Sequence, residues 1–92
     1  TAKVDSSASI TGGTYIGHNA VVGASAVING SVIFAEVEVG SGTQITNSIV
    51  STAAKISSDC IIIDTVIAER AQINAGATLE PGTLVFPDET VN

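Results

Sequence analysis

Ninety-two residues make one small domain, and with 45% of them hydrophobic but only 3% aromatic, the core must be narrow and filled by Ile, Val, Ala and Thr rather than by rings. A net charge of −6, with Lys3, Lys55 and Arg70 as the only Lys and Arg, argues against nucleic acid or an anionic membrane as partner, because both need clustered basic residues. A single cysteine allows no intramolecular disulfide and no apolar run approaches the roughly 20 residues of a membrane span, which points to a cytoplasmic protein.

Taken in chain order, one triplet recurs: a small residue, any residue, then a large aliphatic. It runs through Ala2-Lys3-Val4, Ala8-Ser9-Ile10, Thr14-Tyr15-Ile16, Ala20-Val21-Val22 and Ala26-Val27-Ile28. It continues through Ser31-Val32-Ile33, Val37-Glu38-Val39, Thr43-Gln44-Ile45, Ser48-Ile49-Val50, Ala54-Lys55-Ile56 and Cys60-Ile61-Ile62. Thr65-Val66-Ile67, Ala71-Gln72-Ile73, Ala77-Thr78-Leu79 and Thr83-Leu84-Val85 complete it. Period two sets the first and third residues on one side and the middle residue on the other, so each triplet predicts a short strand with an apolar inner face. Gly, Ser, Asn and Asp between the triplets predict turns.

The aliphatic falls every six residues, except for steps of five at Ile28–Ile33, Ile45–Val50 and Ile62–Ile67. The short steps start 17 residues apart, so one coil has three sides and one tighter corner. A fixed short period of this kind predicts a solenoid, here of about five coils rising roughly 4.8 Å each. Asn29-Gly30 is normally a hairpin signal. The unbroken register on both sides, with Thr46-Asn47 and Ile63-Asp64 in the same slot, argues against a hairpin. Glu89-Thr90-Val91 puts a carboxylate in the small inward slot, so the coils are expected to span about residues 2–86, with a cap or exit over 87–92.

Three-sided coils of such hexapeptides resemble the left-handed parallel β-helix of the hexapeptide-repeat superfamily, an all-β fold. The 17-residue coils with NGSVIF (Asn29–Phe34) and TNSIVS (Thr46–Ser51), and the end LEPGTLVFPDETV (Leu79–Val91), resemble the C-terminal tail of sugar-1-phosphate nucleotidyltransferases, most of all the actinobacterial type of mannose-1-phosphate guanylyltransferase. The resemblance implies a separate N-terminal catalytic domain that uses Mg²⁺ and a nucleoside triphosphate. The glycine-rich nucleotide-binding signature of that domain is not found in these residues, so no catalytic residue and no cofactor site carries over. The chain is expected to be a piece of such a protein.

Other members of the superfamily are acyltransferases that use a histidine as general base. His18 is the only histidine, and it stands in a turn with no insertion beside it to shape an acyl-donor site. A solvated turn residue is the simpler reading, and one histidine cannot supply a zinc site of several. Cys60 occupies a small inward slot and reads as a buried packing residue. Asp59, Asp64, Glu69 and Glu80 fall at different corners and read as solvated carboxylates rather than a cation site.

Sorting the middle residues by side gives the strongest functional signal. One side carries Lys3, Val21, Glu38, Lys55, Gln72 and Thr90; the second carries Ser9, Val27, Gln44, Ile61 and Thr78. The third carries Tyr15, Val32, Ile49, Val66 and Leu84, with Phe34 and Phe86 just after its inward residues. A contiguous apolar stripe on an outer sheet marks an interaction surface. The expected partner is the chain's own catalytic domain, a second copy in a homo-oligomer, or both.

Overall fold

The computed structural model describes residues 2–92. Its strands begin β1 (Lys3–Val4), β2 (Ser9–Thr11), β3 (Tyr15–Ile16), β4 (Val21–Val22), β5 (Val27–Asn29), β6 (Val32–Ile33), β7 (Glu38–Val39) and β8 (Gln44–Thr46). They continue with β9 (Ile49–Val50), β10 (Lys55–Ile56), β11 (Ile61–Ile63), β12 (Val66–Ile67), β13 (Gln72–Ile73), β14 (Thr78–Leu79), β15 (Leu84–Val85) and β16 (Thr90–Val91). All pairs are parallel, and every third strand joins the same sheet: β1-β4-β7-β10-β13-β16, β2-β5-β8-β11-β14 and β3-β6-β9-β12-β15. The result is a three-sided prism, 29 Å along its longest axis and 21 by 20 Å across. Among the described residues no helix is long and apolar enough to cross a membrane.

The inward aliphatics stack into one core. Ile28, Ile33, Ile45, Val50, Ile62 and Ile67 are fully buried, and Ala20, Ala26, Ala54, Cys60 and Ala71 fill the small slots between them. Asn29-Gly30 makes no hairpin, since β5 and β6 pair with different sheets. From the corner after β2 onward, each corner turns through a residue in the left-handed region. One column of these is Asn19, Glu36, Ala53, Arg70 and Asp88, with φ from 59° to 63°. The amide of each of the last four donates to the coil before it, as Ala53 does to the Ala35 carbonyl at 3.0 Å. The strain of that region for a residue with a Cβ is thus offset by a stacked hydrogen bond.

The tight corners are held by hydroxyls stacked from coil to coil. In several six-residue corners the amide of the small residue returns to its own turn, as Ala54 N–H does to the Ser51 carbonyl at 3.3 Å and Thr83 N–H to Glu80 at 3.1 Å, whereas Cys60 N–H donates to Thr43 Oγ1 of the preceding coil at 3.3 Å. A five-residue corner is too short for this. There the amide donates to a hydroxyl of the preceding coil: Ser31 N–H to Thr14 Oγ1 at 3.2 Å, Ser48 N–H to Ser31 Oγ at 3.0 Å and Thr65 N–H to Ser48 Oγ at 3.1 Å. Ser31, Ser48 and Thr65 are buried, so without this column their amides would be orphaned donors inside the protein.

One expectation is corrected. The ladder does not stop near residue 86: β16 pairs with β13, setting Thr90 against Gln72 and Val91 against Ile73. Residues 86–89 form a corner like those below it. Glu89, in the inward slot, lies exposed, and its carboxylate accepts the Phe86 N–H at 2.8 Å.

Candidate interaction face

The sheet built from β3, β6, β9, β12 and β15 sets its outward residues in register. Tyr15 stands against Val32, Val32 against Ile49, Ile49 against Val66 and Val66 against Leu84. Parallel pairing stacks these side chains into one continuous apolar ladder. Tyr15 is 58% exposed and Leu84 55%, while Ile49 and Val66 stand about 40% open between neighbours and Val32 is half-buried. Exposed apolar residues also occur elsewhere, at Val21, Val27, Ile61 and Ile63. On those two sheets polar side chains interrupt them, because Val21 lies between Lys3 and Glu38, and Gln44 separates Val27 from Ile61.

Phe34 and Phe86 extend the ladder round its downstream corner. The amides of Phe34, Ser51 and Ala68 donate to the carbonyls of Val50, Ile67 and Val85, so these three residues occupy one column, and Phe86 takes the next place in it. Between the two rings the column holds only the small side chains of Ser51 and Ala68. This leaves an open recess of about 330 Å³ lined by Phe34, Ser51, Thr52, Ala68 and Glu69. Both rings are legible in the sequence, but the recess is not, because it depends on what stands between them in space. Sorting the corner residues by column, as the middle residues were sorted by side, would have shown it.

Charge gathers at the two edges of this face. Glu36, Glu69, Asp88 and Glu89 lie in the corners that leave it, and Asp64 and Glu80 in those that enter it. These are six of the nine acidic residues of the chain. Arg70 is the one Lys or Arg in either set of corners, and Asp88 holds it in a two-pronged pair at 2.9 and 3.1 Å, with Glu69 at 3.7 Å. The hydrogen bond and charge of Arg70 hold the Asp88 carboxyl below the usual carboxylate range. At the other end of the chain, hydrogen bonds from the Ser7 hydroxyl and amide lower Asp5 in the same direction.

His18 lies exposed in the corner after β3, where its Nε2 is 3.0 Å from the Asn19 amide nitrogen and its carbonyl accepts the Glu36 N–H. Cys60 is fully buried, with its Sγ 3.2 Å from the Asn74 carbonyl. Asp59, Asp64, Glu69 and Glu80 are all exposed, and among the described residues no three His, Cys, Asp or Glu side chains come together as metal ligands would. Lys3 and Lys55 stand on the outer face of another sheet, and Arg70 is paired with Asp88.

The family model of the GMPPB C-terminal domain matches residues 1–92. No curated protein matches the sequence. Among solved structures the chain is similar to the acetyltransferase domain of PglB from Neisseria gonorrhoeae FA1090, with a TM-score of 0.74 at 19% identity over 96% of this chain and 52% of that one. It is similar to a hexapeptide transferase family protein from Anaplasma phagocytophilum, at 0.73 and 22% over 97% and 72%. It also resembles a putative acetyltransferase from Bacillus cereus, at 0.65 and 22% over 97% and 71%. At these identities the likeness is one of fold: a left-handed parallel β-helix of hexapeptide repeats. The chain spans about half the length of the Neisseria domain.

Proposed function

The chain belongs to the GMPPB C-terminal domain family, and from that premise we propose that it is the non-catalytic β-helix tail of a sugar-1-phosphate nucleotidyltransferase, the parent activity being mannose-1-phosphate guanylyltransfer in the cytoplasm. The Mg²⁺ and nucleoside triphosphate of that reaction belong to the parent's catalytic domain. The tail serves oligomerisation or domain packing, and the observation that carries this role is the unbroken apolar ladder Tyr15–Val32–Ile49–Val66–Leu84. Three of its members are fully aliphatic and about two-fifths or more exposed, a combination that a monomeric surface rarely carries over a whole sheet.

The rival reading, acyl transfer with His18 as general base, finds less support. A base needs an acceptor held within hydrogen-bond reach, and the recess of the apolar face is not lined by His18. Two measurements test the proposal. The chain is incubated with GTP, mannose 1-phosphate and Mg²⁺, and separately with acyl-CoA and amino-sugar acceptors. No turnover is expected, and turnover abolished in His18→Ala would overturn the non-catalytic reading. Light scattering is then run at about 1 M salt, where charges more than roughly 3 Å apart are screened. Wild type and Glu38→Lys should gain mass with concentration while Ile49→Lys stays monomeric. An Ile49→Lys variant that associates as wild type does removes the ladder from the proposal.

A further inference from the structure

We infer that the occupant of this face is a different protein surface, with an apolar centre and a lysine- or arginine-bearing rim, rather than the same face of a second copy. The inference rests on the reading of the ladder as a contact surface and names the chemistry of what covers it.

The apolar surface does not stop at the flat ladder: Phe34 and Phe86, both exposed in the downstream column, continue it over that corner. The recess between them gives a wrapping partner a place to seat a side chain beside Ser51 and Ala68.

Charge then selects the partner. Beyond the two rings the corners carry Glu36, Glu69, Asp88 and Glu89 on one edge, and Asp64 and Glu80 on the other. Arg70 is held by Asp88. When two copies meet through this face, one acidic rim lies against another, and like charges brought together at an interface disfavour the pairing. A basic rim on an apolar centre meets the ladder and both rims at once. The long stems of Lys and Arg suit the edge, because they cover apolar surface while their charged heads reach the carboxylates.

The test uses two synthetic amphipathic helices with the same leucine stripe, one flanked by lysines and the other by glutamates. Binding of each to the 92-residue chain is followed by fluorescence anisotropy at low and high salt, beside light scattering of the chain alone. The lysine-flanked helix is expected to bind at least about tenfold tighter than the other, and to lose about tenfold on going from low to high salt. Ile49→Lys should abolish that binding, and Glu36→Lys combined with Glu69→Lys should bring the two helices to parity with the coil intact by circular dichroism. Self-association, where it occurs, should strengthen with salt. Equal binding of both helices, or an Ile49-sensitive dimer strongest at low salt, overturns the inference and makes a second copy the occupant, with the contact reading intact. Failure of both helices to bind, together with an Ile49→Lys variant that behaves as wild type at both salts, overturns the contact reading as well.

Discussion

Removing one hydroxyl from the tight-corner column should cost more than its size suggests. Ser48 Oγ accepts the Thr65 N–H at 3.1 Å and donates to the Thr46 carbonyl at 2.8 Å. In Ser48→Ala the Thr46 carbonyl keeps a second partner, the Asp64 N–H at 3.0 Å. The Thr65 N–H keeps none, and it lies at a residue only 1% exposed. A buried donor left without a partner costs about 1–3 kcal/mol, which for a domain of this size lowers Tm on the order of 5–20 °C. Ser31→Ala should cost the same, because it strands the Ser48 amide.

Two controls separate this cause from loss of volume. Ser48→Thr keeps the hydroxyl, as Thr14 and Thr65 do at the same place in their own coils, and should cost less than about 1 kcal/mol. Thr65→Val removes a hydroxyl that donates to the Ile63 carbonyl at 2.9 Å and lies 3.4 Å from that of Glu80, but accepts from no amide above it, so it too should stay below about 1 kcal/mol. Urea unfolding followed by circular dichroism measures all four, with the m-value checked for constancy. Ser48→Ala within about 0.5 kcal/mol of wild type, or Ser48→Thr as damaging as Ser48→Ala, refutes the argument, since mutations without a named mechanism fall in that range anyway.

Ile62→Ala should lose about 2–5 kcal/mol in the same assay, as a large-to-small change at a fully buried site. Cys60 should react with thiol reagents only after denaturation, because its Sγ is enclosed; rapid labelling of the native chain would mean that the inward register is wrong there. Ala53→Gly should stabilise by up to about 1 kcal/mol, since φ of 63° suits glycine better than alanine. For Asp88, whose lowered carboxyl pKa follows from the Arg70 pair, the stabilisation is present above about pH 4 and fades as pH falls through the lowered value. In Arg70→Ala an NMR titration of Asp88 should move up toward the ordinary carboxylate range, with little change in stability at neutral pH for so exposed a pair.

Most of the architecture was legible because period two and period six are imposed by geometry at every coil. Tyr15, Val32 and Ile49 could be placed on one side before any coordinates, and the register sets them against one another. The hydroxyl column was not legible for a specific reason. Ser31, Ser48 and Thr65 were counted with alanine as small residues, and size alone hides the fact that their corners are one residue short and leave an amide unpaired. The strand at Thr90–Val91 is not legible because an inward carboxylate is costly when buried without a partner, whereas Glu89 lies exposed and accepts the Phe86 N–H.

The reading of the face rests on a comparison internal to the molecule. β-propensity would place Val and Ile outward on any strand, and all three sheets are parallel ladders of strands two or three residues long. Propensity therefore acts alike on all of them. Yet outward positions on one sheet hold Lys3, Glu38, Lys55 and Gln72, on the second Ser9, Gln44 and Thr78, and on the third no polar group except the Tyr15 hydroxyl. Two phenylalanines flank that third sheet on one edge, and most of the chain's carboxylates lie along its two edges. A difference between faces that share one backbone geometry has to come from what each face meets, and an apolar sheet that met only water would bring no gain to offset its exposure.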